Sequence, residues 1–213
     1  MLGVTIGIGQ GWSECARHSA SQMFAQTGIE CLVIDHYPKI VPRSCRNPAW
    51  VKLWVQQHLD SIGIKEDLMI FDADLFCCSP WDPRECLGSY DFAWCIDPSK
   101  QIPAECDRLQ LSRDHYGNSG LMLIKNGCKV LEVARKRFPS YGSWAEQSAV
   151  CEAVQNDLEL KVKHLDPKFN RLVRKYQLPK ALNISGVNLH FVGLLGDTEL
   201  LRNTQRRLCS SNA

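Results

Sequence analysis

Two carboxylates two positions apart, Asp72 and Asp74, close the apolar run Leu68-Met69-Ile70-Phe71. Side chains alternate along a strand, so a strand continuing to Leu75 would present both carboxylates on one face. Carboxylates aimed the same way repel unless a cation neutralises them or one takes a proton. Hard divalent ions such as Mn²⁺ and Mg²⁺ take carboxylate oxygens, commonly with substrate phosphates completing the shell. The pattern therefore predicts a metal site that holds a phosphorylated substrate. The plainer alternative is a strand that runs out into a solvated acidic loop.

The elements that must position these groups follow from apolar patterning. The run entered from Lys65-Glu66-Asp67 is too continuous for a half-exposed strand and reads as a buried central strand of an α/β sheet. Open α/β sheets take ligands at the C-terminal ends of their strands, where the two aspartates fall. Val4-Thr5-Ile6-Gly7-Ile8 predicts the first strand and Gly9-Gln10-Gly11-Trp12 a turn. A helix then runs from a Ser13 cap to about Gln26, closed by Thr27-Gly28. Cys31 to Asp35 gives a second strand. This unit resembles a dinucleotide fold, with Asp35 near the place of a ribose-binding acid. However, Trp12 occupies the third glycine position of G-x-G-x-x-G and removes the close helix packing. The glycine-rich turn still suits a nucleotide, and Trp12 offers a face either to stack on a base or to cover the sheet edge.

Further along, a helix is expected from Ala49 to Asp60, a turn at Ser79 to Pro83, a buried strand at Tyr90 to Ile96 and a polar loop to Gly117. Asn118 to Lys125 reads as a strand entered through small polar residues. Helices follow from Lys129 and from Ser143, then a strand at Leu160 to Leu165 and a turn at Asp166 to Asn170. Val187 to Val192 is the last strand, and Arg202 to Ala213 reads as a frayed polar tail.

At 213 residues the chain is long enough for a sizeable core, and 45% hydrophobic with 23% charged residues is ordinary for a soluble enzyme. A net charge of +2 predicts neither nucleic-acid nor membrane-surface binding. No apolar run approaches the ~18–20 residues that span a bilayer, and the start lacks a signal peptide's pattern, so a cytoplasmic protein is expected. Eleven cysteines without any C-x-x-C suit neither zinc nor a disulfide framework and predict reduced, mostly structural thiols.

Several motifs occur in one order along most of the chain: the first strand and turn with Trp12, "VKLW" at Val51 to Trp54, "FDADL" at Phe71 to Leu75, "NSGLMLI" at Asn118 to Ile124, "WAEQSA" at Trp144 to Ala149 and "LHFVG" at Leu189 to Gly193. The set resembles the GT-A glycosyltransferases, above all the glycogenin-like enzymes and the plant and fungal xylosyl- and galactosyltransferases. A looser likeness links it to the glycosyltransferase domains of large algal viruses.

The resemblance implies an α/β fold and a single GT-A domain over 1–213, with the nucleotide-binding half in 1–100, the acceptor half in 101–205 and a tail at 206–213. It implies Mn²⁺ or Mg²⁺ on Asp72, Asp74 and His190. The UDP-sugar donor would lie along Ile6, Gly7, Gly9, Trp12, Lys52, Asp72, Ala73, Asn118, Ser119, Gly120 and Gly193, with UDP-glucose the first candidate. It implies Glu146 and Gln147 beneath the reacting sugar, transfer with retention, and a glycan or glycoprotein acceptor. The glycogenin-like ending H-x-x-G-x-x-K-P-W has a lysine that clamps the diphosphate. His190-Phe191-Val192-Gly193-Leu194-Leu195-Gly196 carries no cation there, leaving Arg171, Arg174 or Lys175 as substitutes. Two rival readings are a haloacid-dehalogenase-like phosphatase, whose D-x-D normally lies nearer the N-terminus, and a non-catalytic sugar-nucleotide or glycan-binding module.

Overall fold

The apolar run forms a strand, β3 (Leu68–Asp72), inside a six-stranded sheet. The structure is a computed structural model that describes residues 1–99, 102–137, 145–157, 159–174, 177, 186–192 and 197–211. β3 pairs in parallel with β1 (Leu2–Ile6), matching Ile6 with Asp72, and antiparallel with β6 (Gly117–Ile124). With β2 (Cys31–Ile34), β5 (Phe92–Ile96) and β7 (Val162–His164) the order is β2-β1-β3-β6-β5-β7. Leu68 and Ile70 pack on one face with Val4 and Met122, while Met69 and Phe71 pack on the other with Met23 and Leu123. Burial on both faces is why the sequence shows a continuous apolar run here instead of alternation. Each such side chain contributes about 1.5–3 kcal/mol on burial.

The helices cover these faces. α1 (Trp12–Thr27) ends as expected at Gly28, whose left-handed φ of 66° lets its N–H reach the Phe24 carbonyl. Its start differs from expectation. Gly11 takes the N-cap position at φ 81° and no side chain caps the helix. A Cβ on Gly11 would lie 2.9 Å from Thr198 Cβ, so glycine lets the C-terminal segment close on this turn. The helix expected from Ala49 is a 3₁₀ turn, Pro48–Trp54, followed by α2 (Val55–Ser61). Asn47 accepts the Ala49 N–H with Pro48 at the first position, which fixes the start of the turn. α3 (Pro83–Leu87) follows an Asp82 cap.

Two segments read as irregular are helices. The loop before Gly117 contains α4 (Ile102–Leu109), which buries Ile102 and Cys106 one turn apart. The expected frayed tail is instead α7 (Thr198–Ser211), which buries Leu201, Gln205 and Leu208 and pairs Arg202 with Glu14 of α1. In both, a narrow apolar stripe holds a mostly polar helix, and composition outweighed periodicity in the reading. α5 (Val130–Arg137) and α6 (Ala145–Glu152) complete the helical layer.

β3 also stops sooner than expected. Ala73-Asp74 is a turn, and β4 (Leu75–Cys77) leaves for a second sheet with β9 (Asn188–His190) and β8 (Arg171–Leu172). Asp72 and Asp74 therefore do not share a strand face. The hinge between two sheets brings them together. Among the described residues no helix is long and apolar enough to cross a membrane. The described cysteines are all free, and burial pushes the Cys31, Cys77 and Cys95 thiols up to about 12.

Candidate functional site

The hinge carries three side chains that could ligate a metal, Asp72, Asp74 and His190. Antiparallel pairing sets Leu75 opposite His190, and the Phe191 N–H binds the Asp74 carbonyl at 2.9 Å. His190 Nε2 consequently lies 3.5 Å from Asp72 Oδ2 and 3.3 Å from Asp74 Oδ1. One ligand atom from each of the three falls within 4.8 Å of the others. From behind, the buried Gln205 of α7 donates to the Ala73 carbonyl at 3.5 Å.

Lys52 was expected near the donor. It is buried, with Nζ 2.6 Å from Asp72 Oδ1, 3.5 Å from Glu146 Oε1 and 3.2 Å from the Ser119 carbonyl. Burial alone would lower its pKa, but Asp72 and Glu146 more than offset this and leave it raised, so the ammonium persists. Three carboxylates (Asp72, Asp74, Glu146) then face one ammonium and an imidazole. Among the described residues, two negative charges stay uncompensated when His190 is neutral, which fits a divalent cation in both charge and ligand chemistry.

The floor of the site is built from a break in pairing. In β5 and β6, Trp94 pairs with Met122 but Cys95 pairs with Asn118, so Ser119 to Leu121 have no partner on β5. Bulges of this kind re-aim groups beside active sites. The released backbone groups are taken up by site side chains. The Ser119 N–H donates to Gln147 Oε1 at 3.1 Å, the Gly120 N–H to Asn118 Oδ1 at 2.9 Å, and the Ser119 carbonyl accepts from Lys52. Ser119 Oγ donates to Glu146 Oε1 at 3.0 Å. The buried Asp97 carboxylate accepts from Asn118 Nδ2 at 2.9 Å, Gln147 Nε2 at 3.0 Å and the Ser99 N–H at 2.8 Å. Gly120 is sterically required: a Cβ there would lie 2.5 Å from His190 Nδ1 and 2.8 Å from Asn118 Oδ1.

Above this floor opens a cleft of about 260 Å³, lined by Ile6, Trp12, Lys52, Asp72, Ala73, Asp74 and Glu146. Ile8, Asn47, Pro48 and Ala49 also line it, which the sequence reading missed. The Asn-Pro cap that starts the 3₁₀ turn was their available signal. Gly7 lies under the cleft, against α1, where a Cβ would come within 2.5 Å of Ala16 Cβ. Gly9, at φ 108°, has open space around it. Asn118, Ser119, Gly120, Gln147 and His190 form the buried floor, while Glu146 alone of the Glu146-Gln147 pair reaches the cleft. Gly193 and Trp144 lie outside the described residues, as does Lys175. Asp35 stands away from the cleft, bonded to Arg17 at 2.9 Å and His36 at 3.0 Å. Asn170 is the largest omission. It was read only as part of a turn, yet it is buried and touches both His190 and Asn118.

No protein-family model matches the sequence, and no curated protein matches it. Solved structures do match over nearly the whole chain. The galactosyltransferase LgtC, solved with donor and acceptor sugar analogues, aligns with a TM-score of 0.58 at 11% identity, covering 97% of this chain and 96% of that one. A glycosyltransferase involved in glycosylation of the major capsid of PBCV-1 aligns with a TM-score of 0.63 at 13% identity, covering 97% and 100%. Mouse xyloside xylosyltransferase 1 aligns with a TM-score of 0.54 at 12% identity, covering 89% and 96%. The chain has the mixed α/β fold of the GT-A glycosyltransferases.

Proposed function

We propose that the protein is a metal-dependent glycosyltransferase that moves a sugar from a UDP-sugar, UDP-glucose first, onto a glycan or glycoprotein acceptor with retention of configuration. The single observation that carries this reading is the convergence of Asp72, Asp74 and His190 at the edge of a cleft that also holds Lys52 and Glu146. Asp72, Asp74 and His190 hold Mn²⁺ or Mg²⁺ in this reading, and the bound cation supplies charge stabilisation for the departing diphosphate. Trp12 and Ile6 give the uracil an apolar wall at the other side of the cleft. Lys52 fixes Asp72 and Glu146 relative to each other and keeps its own charge beside the phosphates. Glu146 lies by the reacting carbon, where an anion favours oxocarbenium character. Gln147 acts from beneath, holding Ser119 and Asp97 in place. The enzyme works in the cytoplasm on one GT-A domain over 1–213, with no nucleic-acid partner. The fold likeness supports this over the phosphatase, and intact ligand geometry supports it over a binding module that has lost catalysis.

Titration calorimetry with Mn²⁺ tests the donor. UDP should bind at least tenfold more tightly than GDP, about 1.4 kcal/mol. Equal or reversed affinities would overturn the uridine assignment. The anomeric configuration of the product, read by NMR coupling constants, tests retention, and an inverted linkage would refute it.

A further inference from the structure

We infer that Asn170 is a positioning residue that fixes His190 as the Nδ1–H tautomer and so keeps the Nε2 lone pair for a metal ion. The inference rests on the metal reading above only for its consequence, not for its geometry. It begins at a donor that cannot be reassigned, the backbone N–H of Gly120, which points at the Asn118 amide at 2.9 Å. That atom must be the oxygen, so the Asn118 nitrogen is the one that meets the Asp97 carboxylate at 2.9 Å. The Asn118 oxygen also meets the Asn170 amide at 2.8 Å, and two oxygens cannot bond, so the Asn170 group there is its nitrogen. The remaining Asn170 atom, its oxygen, faces His190 Nδ1 at 3.0 Å. An amide oxygen only accepts, so Nδ1 carries the proton.

Each link is buried: Asn118 is 6% exposed, Asn170 5% and His190 4%. Without exchange for water, reversing any amide would leave like atoms in contact, which is costly in a buried network. The bulge that unpairs Ser119 to Leu121 thus determines, through two amides, that the ring nitrogen turned away from Asp72 and Asp74 carries a proton. Side chains that hold the far nitrogen of a ligating histidine typically tune metal affinity by about 10–100-fold.

The test uses the whole protein labelled with ¹⁵N-histidine, with saturating diamagnetic Mg²⁺ to neutralise the carboxylates that face Nε2 at 3.3 and 3.5 Å, and in alkaline buffer where the ring is neutral. Long-range ¹H–¹⁵N spectra separate protonated from bare ring nitrogens, and His190→Gln identifies the signal. The wild type should show Nδ1–H. An Nε2–H spectrum would overturn the inference. Asn170→Leu should shift the ring toward Nε2–H and weaken Mg²⁺ and Mn²⁺ binding, measured by calorimetry with the metal alone, by about 10–100-fold. The wild-type spectrum alone decides the matter if the leucine variant does not fold. A merely structural asparagine would change melting temperature without changing the tautomer, and that result would refute the inference. If the wild type shows Nδ1–H but binds no divalent metal, the metal reading fails while the tautomer assignment stands.

Discussion

Replacing Lys52 by methionine removes the one buried ammonium, among the described residues, from a site with three facing carboxylates. Nζ lies 2.6 Å from Asp72 and 3.5 Å from Glu146, with the lysine side chain 4% exposed and Asp72 27% exposed. Breaking a buried pair costs about 3–5 kcal/mol because the surviving charge loses its partner. The partial exposure of Asp72 places this case near the lower end, about 3 kcal/mol. For a domain of 150–250 residues each kcal/mol moves the melting point about 2–4 °C, so Lys52→Met should melt about 6–12 °C lower in chelator. Adding Asp72→Asn removes the stranded charge, so the double variant should recover part of the loss. The cycle should give a coupling energy of about 1–3 kcal/mol. Because Lys52→Met leaves the carboxylates with less compensation, Mn²⁺ should raise its melting point by more than it raises that of the wild type. Calorimetric melting of all four proteins in EDTA and in Mn²⁺ makes the measurement. A melting point within about 2 °C of wild type in EDTA would refute the electrostatic reasoning.

Glu146→Gln should fold and bind UDP as the wild type does while kcat falls well over tenfold, because an interaction made in the transition state is lost; steady-state kinetics and calorimetry together check this. Gly120→Ala places a Cβ within 2.5 Å of His190 Nδ1, so Mn²⁺ binding by calorimetry should be lost while far-UV circular dichroism keeps its shape. Burial alone would lower the His190 pKa, but Asp74 and Asp72 outweigh it and hold it above 6.5. The charged ring therefore stabilises the metal-free fold fully below about pH 6.5, and that contribution is lost as pH rises through the raised value. Melting in chelator should fall across that window while Mn²⁺ affinity rises, and a flat profile in both would exclude the ion-pair geometry.

The parts legible in the sequence were those set by local pattern. β3 was visible because burial on both faces writes an unbroken apolar run, and the Gly28 stop because a left-handed cap selects glycine. Asp72, Asp74 and His190 lie together in the structure, though not by the route the strand pattern suggests. Alternation on one strand does not unite the aspartates; the turn at Ala73-Asp74 and the pairing of Leu75 with His190 do. Asn170, nearly a hundred residues from the aspartates, gave no signal because its contacts with Asn118 and His190 come from a bulge in β6 and the register of β9, neither of which has a local signature. α4 and α7 were missed for a different reason: two to four buried positions on a polar helix are enough when another helix or sheet already supplies the core.

The central claim is that Asp72, Asp74 and His190 bind a divalent metal through which a uridine diphosphate is held. Melting curves of wild type and Asp74→Ala with UDP, each with and without Mn²⁺, test it most directly. In the wild type, UDP at a hundred times its Kd should add about 2.7 kcal/mol only when Mn²⁺ is present, a rise of about 5–11 °C. Asp74→Ala should abolish that metal-dependent rise. An equal Mn²⁺-dependent rise in Asp74→Ala would contradict the site.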